Sequence, residues 1–438
     1  MVTVRGNRRA PRTGMLALLV ALCAGCLGAT PVAPSTVAGR PTSSLTAPAS
    51  PDGLSSSVAP SPTAAPTSSV ATSESAAPSS SPPRATAATC PARVLASLTE
   101  PQRIGQLFLL GLTGDRLGAS ERADIAAWHF GSAWFTTPWA VGVAAVRSVA
   151  DAVQALASQA TTGGVGFLVA ANQEGGLVQA LSGPGFSTIP SALGQGALTP
   201  AVLQVSAERW GLQLRAAGVN LDLAPVADVV PPGTDAENEP IGQLQREYGH
   251  DPATAGSHVF AFSRGMAQAG VATTVKHFPG LGRVRGNTDF TGGVTDTVTT
   301  PRDPYLEPFN MAIAAGVPFV MVSLATYERI DPAHLAAFSS RVIDGMLRRD
   351  LHFAGVVVSD DLGVAAAIAS TSPPTRALEF LDAGGDLIVS QTPAPAIAMA
   401  RRLVSLATTD AALRQRVDDA VLRILRAKEA LGLLPCGG

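Results

Sequence analysis

The sequence has few charged residues, and this scarcity narrows the classes of protein that it can encode. Charged residues make up 15% of the 438 residues and the formal net charge is −2, so we expect no binding to nucleic acid or to an anionic membrane surface. The first strand-like run is not followed by a Gly-x-Gly-x-x-Gly motif, which disfavours a dinucleotide-binding fold. Hydrophobic residues, at 46%, are abundant enough to form a full-sized core.

Residues 1–26 have the pattern of an export signal that ends at Cys26. Four arginines precede the apolar run 15–22, which is too short to be a comfortable membrane span. The Ala-Gly-Cys triplet at 24–26 resembles a bacterial lipobox, although Cys23 stands where leucine is usual. We therefore expect Cys26 to carry a lipid that anchors an exported protein to the outer face of the cytoplasmic membrane or the cell wall. Secretion without a lipid is the alternative.

Residues 27–89 differ in composition from the rest of the chain. They are almost entirely Ser, Thr, Ala, Pro and Val, with few charges and no aromatic residue. Such a segment cannot bury enough apolar surface to offset the entropy lost on ordering. We expect a disordered tether that joins the lipid to a single catalytic domain at 90–438.

Two cysteines, Cys90 and Cys436, lie at the two ends of that domain. In an exported protein, an isolated pair that brackets one domain suggests a disulfide bond between its ends. Two free thiols are the alternative.

After residue 90, short β-branched runs alternate with longer amphipathic or Ala-rich segments. Runs that are apolar on both faces and separated by helices predict a parallel sheet whose faces are covered. About eight such units predict an α/β fold, a (β/α)₈ TIM-type barrel, and an open doubly wound sheet is the alternative. The expected strands are 106–112, 131–136, 165–171, 219–223, 271–275, 318–323, 354–359 and 386–390. The expected helices include 141–159, 253–269, 340–350, 394–407 and 410–431.

Polar clusters directly follow several of these strands, at the carboxyl ends that form the mouth of a barrel. Asp360 and Asp361 come directly after a buried run at 356–359, and a charge at that position is costly unless it is paired or used. One interpretation is a helix cap. The other is a carboxylate nucleophile that attacks an anomeric carbon.

Lys276 and His277 follow another strand and precede a Phe-Pro-Gly turn at 278–280. Pro279 and Gly280 force a turn, which would hold the basic pair on a rigid backbone. Such a pair can be purely structural. Because the pair would lie opposite carboxylates at a barrel mouth, we expect it to form hydrogen bonds with sugar hydroxyls.

Taken together, these motifs resemble those of family 3 glycoside hydrolases. The similarity is to the single-barrel β-N-acetylglucosaminidases of bacterial cell-wall recycling and their actinobacterial lipoprotein relatives. It implies that Asp360 is the nucleophile and that Lys276, His277 and Arg246 hold the sugar in the first subsite. It also implies removal of terminal β-linked sugars with retention, without a metal or organic cofactor. The segments that carry it, in the family's order, are 173–179, 223–228, 241–249, 275–280, 338–340 and 358–362.

The sequence departs from the family pattern in two places. Asn172, Leu177 and Ala180 stand where the family has an Asp and two Arg, which affects recognition of hydroxyl groups. Asn287 and Asp289 stand at the positions of the family's Asp-x-His acid/base dyad. We still expect Asn172, together with Glu174 and Asp361, to contact the substrate.

The second departure leaves one ionisable group in the acid/base loop. A carboxylic acid can protonate a leaving glycosidic oxygen if burial or a nearby carboxylate raises its pKa. We therefore expect Asp289 to be the acid/base. The alternatives are that the site is impaired, or that Glu174 or Asp361 is the acid/base.

The expected function is that of an exo-acting β-N-acetylhexosaminidase that cuts peptidoglycan-derived amino sugars. We expect a carbohydrate substrate, a monomer, and membrane association through the N-terminal lipid alone. The alternatives are a β-glucosidase or phosphorylase of the same family, and a non-catalytic sugar-binding lipoprotein.

Overall fold

The computed structural model describes residues 88–112 and 116–436. The expected signal peptide, its lipidation site Cys26 and the tether up to residue 87 lie outside these described residues. In the described ranges, no helix has the length and apolar character needed to cross a membrane.

Eight parallel strands close into a barrel in the order of the chain. Each strand pairs with the next one, and the last pairs with the first, as shown by the register of Phe108 opposite Ile388. This closed topology confirms the expected (β/α)₈ barrel and removes the open-sheet alternative. The strands are β1 (Phe108–Leu112), β2 (Ser132–Phe135), β3 (Leu168–Ala171), β4 (Leu221–Asp222), β5 (Ala272–Phe278), β6 (Phe319–Val322), β7 (Val356–Asp361) and β8 (Leu387–Ser390).

The barrel strands are short apolar runs because both of their faces are buried. All four residues of β2, β3, β6 and β8 are buried, and so are all seven of β5. Their outward side chains pack against the surrounding helices and their inward side chains fill the barrel, which therefore has a packed core and no pore.

Helices connect the strands and cover the outside of the barrel. Several begin at a residue whose side chain caps the first turn: the Asp251 carboxylate accepts the Thr254 N–H at 2.8 Å, and Pro252 occupies the first turn. The helices are α1 (Cys90–Ser97), α2 (Glu100–Gln106), α3 (Ala119–Trp128), α4 (Val143–Gln154), α5 (Gln159–Thr162), α6 (Ala192–Gly196), α7 (Pro200–Ala216), α8 (Pro252–Gln268), α9 (Glu307–Ala314), α10 (Pro373–Asp382), α11 (Pro393–Ala407) and α12 (Ala411–Ala430), with a π-helix at Arg341–Asp350.

The two ends of the domain meet beside α1. Cys90 and Cys436 are joined by a disulfide bond, with a Cα–Cα distance of 6.0 Å and a sequence separation of 346. Helices α1 and α12 pack against each other at the same place. The disulfide therefore links α1 to the segment that follows α12.

Strand β5 is longer than expected, and it contains both basic residues that were expected to follow it. Its register against β6 shifts between Val275, opposite Val320, and Phe278, opposite Val322, so one extra residue is accommodated. Strand β7 shows the same irregularity against β8 between Val358 and Asp361. An extra residue in a strand re-aims the side chains beside it, and here the affected side chains are those at the barrel mouth.

Candidate active site

A cavity of about 590 Å³ opens at the carboxyl ends of the barrel strands. Strand ends converge there because parallel strands all point the same way, and loops after each strand build the walls. All eight residues expected to act in catalysis or substrate binding line this one cleft: Asn172, Glu174, Arg246, Lys276, His277, Asp289, Asp360 and Asp361.

One wall of the cleft is a buried cluster of opposite charges centred on Glu174. Its two carboxylate oxygens accept Arg246 Nε and Nη2, each at 2.7 Å, and Lys276 Nζ lies 2.6 Å from Oε1. Burial opposes ionisation of Glu174, but the charges of Arg246 and Lys276 outweigh it and lower its pKa to about 2. A carboxylate held in its ionised form is a poor proton donor, which disfavours Glu174 as the acid.

Asn172 extends this cluster from the end of β3. Lys276 Nζ donates to its amide oxygen at 2.8 Å. The amide oxygen thus binds the ammonium group without adding a second negative charge beside Glu174. Lys276 and Arg246 are oriented by these bonds toward the cleft that both side chains line.

His277 is oriented by Asp228, a residue that was not singled out as part of the site. The Asp228 Oδ2 atom is 2.7 Å from His277 Nδ1, and its Oδ1 accepts the backbone N–H of His277 at 3.1 Å and of Leu281 at 2.8 Å. The carboxylate therefore fixes both the imidazole ring and the turn that follows β5. The sequence signal was the position of Asp228 just after β4.

Asp360 and Asp361 are adjacent in sequence but are bonded differently. Asp360 Oδ1 accepts the N–H of Asp361 at 2.9 Å. The Asp361 carboxylate accepts the N–H groups of Gly363 at 2.8 Å, Gln391 at 2.9 Å and Val364 at 3.2 Å. Asp361 therefore joins the loops after β7 and β8 through its carboxylate, and it also lines the cleft, where we expected it to contact substrate.

Asp289 lies on the loop after β5 and lines the same cleft as Asp360. Its side chain is open to the cleft, yet the surrounding protein removes part of its hydration. This loss of hydration and the negative charge of Asp360 raise the pKa of Asp289 to about 6, against the opposing charges of Arg246 and His277. Asn287 holds the loop, because its side-chain oxygen accepts the Asp289 N–H at 3.0 Å.

Other buried carboxyl groups lie near the cleft without lining it. Burial raises the pKa of Asp222 and of Glu247 to about 7. Asp235, Glu247 and His250 bring possible metal-ligand atoms within 4.8 Å of one another, and none of the three lines the cleft.

A barrel mouth with one carboxylate at a strand end, a second carboxyl group of raised pKa and three basic side chains in the same cleft is the arrangement of a glycoside hydrolase. The match to the model of the family described as "Glycosyl hydrolase family 3 N terminal domain" covers residues 99–427. The chain belongs to glycosyl hydrolase family 3.

Relatives of known name are similar over most of the domain. A beta-hexosaminidase from Stenotrophomonas maltophilia (strain K279a) is 34% identical over 303 residues, which cover 65% of this chain and 82% of the relative. The crystal structure of a beta-N-acetylhexosaminidase from Beutenbergia cavernae DSM 12333 is 46% identical, with a TM-score of 0.75, and the match covers 76% of this chain and 99% of that one. A family 3 beta-N-acetylglucosaminidase from Paenibacillus sp. str. FPU-7 is 29% identical, with a TM-score of 0.69 over 78% of this chain and 64% of that one.

Proposed function

We propose that the protein is a retaining exo-β-N-acetylhexosaminidase with Asp360 as nucleophile and Asp289 as acid/base. The observation that carries the assignment is the pair of carboxyl groups in one cleft, of which Asp289 has a pKa raised to about 6, partly by the charge of Asp360. Retaining glycosidases need one carboxylate that attacks and one carboxyl group that donates a proton.

In the first step, protonated Asp289 gives its proton to the glycosidic oxygen while an Asp360 oxygen attacks the anomeric carbon. The glycosidic C–O bond breaks, the leaving group departs as an alcohol, and a glycosyl ester forms on Asp360. Asp289, now ionised, takes a proton from water, whose oxygen attacks the anomeric carbon and releases Asp360. The same residue acts as acid and then as base.

Lys276, Arg246 and His277 bind the hydroxyl groups of the terminal sugar in this proposal. Their positions are held by Glu174 and Asp228 at distances of 2.6–2.7 Å, so little side-chain freedom is lost when the sugar binds. Pre-positioned charges of this kind favour the transition state over the ground state.

The proposed substrate is a terminal β-linked N-acetylglucosamine in glycan fragments derived from the cell wall. Support comes from the names of the similar proteins, of which the one from Beutenbergia cavernae is 46% identical. We also propose export, with a lipid on Cys26, and a monomeric enzyme. These three proposals rest on the sequence of residues 1–89 and on the family.

A fluorinated, slowly turned-over N-acetylglucosaminide tests the function directly. We expect a mass adduct on the peptide that contains Asp360, and none in the Asp360→Ala variant. Binding without an adduct would indicate a non-catalytic sugar-binding protein.

A panel of aryl β-glycosides tests the specificity. We expect the N-acetylglucosaminide to be preferred over the glucoside. The reverse preference would indicate a β-glucosidase, and release of a sugar phosphate when phosphate is added would indicate a phosphorylase.

A further inference from the structure

Two carboxylates and an imidazole converge at a place outside the cleft. One carboxylate oxygen each from Asp235 and Glu247 and one ring nitrogen of His250 lie within 4.8 Å of one another, and none of the three residues lines the cleft. His250 Nδ1 is 3.6 Å from Asp235 Oδ1 and 3.2 Å from the carbonyl oxygen of Val230. Carboxylate oxygens and imidazole nitrogens are ligands that proteins use for zinc.

The surroundings of Glu247 indicate that it has a partner other than the protein. The residue is fully buried, with 0% of its surface exposed, and neither of its carboxylate oxygens has a hydrogen-bond partner in the described part of the chain. Asp235 Oδ1 is likewise buried without one. A buried carboxylate normally accepts hydrogen bonds, pairs with a cation or binds a metal ion. A cation between the two carboxylates would supply the partner that Glu247 lacks.

The chemistry and the spacing of the group favour zinc over the hard divalent cations. Calcium and magnesium prefer oxygen ligands alone, whereas zinc also takes the nitrogen of an imidazole. Two ligands of a tetrahedral zinc ion lie roughly 3.4 Å apart, so side chains whose ligand atoms are within 4.8 Å need only small rotations to bind it. Asp235 and His250 are partly exposed, which lets the ion enter and leaves room for water as a fourth ligand.

The three residues come from two segments of the long connection between β4 and α8. Asp235 begins a 3₁₀ turn, Asp235–Glu237, and Glu247 and His250 lie just before α8. Glu247 directly follows Arg246, which lines the cleft and binds Glu174. An ion bound by both segments would therefore restrain the loop that carries Arg246.

We propose that Asp235, Glu247 and His250 bind one zinc ion, and that this ion holds the loop that carries Arg246 in place. The site lies apart from Asp360 and Asp289. It therefore does not depend on the proposed function, and its test measures metal binding directly.

Zinc titration of the protein, purified without a histidine tag and freed of metal with EDTA, tests the site. We expect isothermal titration calorimetry to give one zinc ion per chain. The melting temperature should rise by about 4 °C at a zinc concentration about 100 times Kd, because only the folded chain brings the ligands together. Calcium should give no comparable rise. An equal rise with calcium overturns the choice of zinc.

Substitutions of the ligands locate the ion. Glu247→Gln and His250→Gln should each weaken zinc binding by more than about tenfold, since losing even an outer partner of a metal ligand costs about that much. Glu247→Gln should not lower the melting temperature of the metal-free protein, because it removes a buried charge that has no partner. If a substitution at the buried position prevents folding, Asp235→Asn tests the same site from its exposed side.

His334→Gln is the matched control, since His334 is an exposed histidine outside this group; it should leave zinc binding unchanged. Asp289→Asn should leave it unchanged as well, and a loss of binding in that variant would place the ion in the cleft and overturn the proposal. The proposal is also overturned if zinc does not bind, or if its binding survives both Glu247→Gln and His250→Gln. A proton shared with the neighbouring carboxylate is then the partner of Glu247.

Discussion

The sequence contains two lysines in 438 residues, and the fold buries them at opposite ends of the barrel. Lys276 lies at the mouth, near the carboxyl end of β5, where its Nζ is 2.6 Å from a Glu174 oxygen and 2.8 Å from the Asn172 amide oxygen. Lys428, on α12, lies at the other end. Its Nζ donates to the Gln106 side chain at 2.7 Å and to the carbonyls of Gly131 and Gly166 at 2.7 and 2.9 Å.

The two lysines differ in how their charge is compensated. Lys276 has a carboxylate partner that it shares with Arg246, and it lines the cleft. Lys428 is bonded to neutral oxygens at the amino ends of the first three strands. Burial alone lowers its pKa to about 7, and the three acceptors oppose that fall, because only the ammonium form has three N–H groups to donate. At the mouth the lysine lines the cleft beside its carboxylate partner, whereas at the other, closed end of the barrel a cation satisfies backbone carbonyls.

Removing the carboxylate at the mouth should have the largest effect on stability. Glu174→Gln leaves Arg246 and Lys276 buried without their counter-charge, and we expect a loss of about 3–5 kcal/mol in the free energy of unfolding at pH 7. The pKa of Glu174 is about 2 in the folded chain against an ordinary 4.5. Its contribution is therefore full above about pH 4.5 and is lost as the pH falls toward 2, and the variant should lack this dependence. Urea unfolding across that pH range measures both the loss of stability and its pH dependence.

Glu237→Gln is the matched control for this change. Glu237 and Arg285 form an exposed pair at 2.7 Å, and exposed pairs contribute little because water already solvates both charges. A loss of stability as small in Glu174→Gln as in this control would contradict the role given to the buried cluster.

Asp289 should show the next largest effect, on rate. Asp289→Asn should lower kcat/KM on an unactivated disaccharide by on the order of 10²-fold, with a much smaller change on an aryl glycoside whose leaving group needs no proton. Because the acid must be protonated and its pKa is about 6, kcat/KM should fall as the pH rises through about 6. The variant should lose this alkaline limb. If kcat/KM of the variant still falls as the pH rises through about 6, another group is the acid.

Lys428→Met tests the closed end and should have the smallest effect. Three oxygens lose their donor, and we expect a loss of about 2 kcal/mol in the free energy of unfolding, with kcat/KM unchanged. Lys276→Met at the mouth should instead lower kcat/KM, by on the order of 10²-fold. We expect little change in the free energy of unfolding, because Arg246 is still bonded to Glu174. If both variants lose stability alone, the distinction between the two ends is wrong.

The arrangement of the barrel could be read from the sequence because it depends on local patterns. Each of the eight expected strand runs contains or overlaps a barrel strand, since a strand covered on both faces must be apolar along its length. The predicted ends of the helices and strands were less accurate. The helix expected at 141–159 ends at Gln154, and β5 continues through Lys276 and His277 to Phe278. Such ends depend on which neighbour supplies hydrogen bonds, and no local pattern encodes that.

Composition, spacing and motif order were sufficient to indicate an eight-fold barrel and a pair of carboxyl residues after strands. The partners of those residues were decided in three dimensions. Asp228 lies 49 positions from the imidazole that it orients, and Glu174 lies 72 positions from Arg246. Asp361 was expected to contact substrate and lines the cleft, but the sequence did not indicate that its carboxylate also accepts backbone N–H groups from two loops. Electrostatic and hydrogen-bond partners act through space, so the ionisation of each carboxyl group depends on contacts that exist only after the barrel has closed.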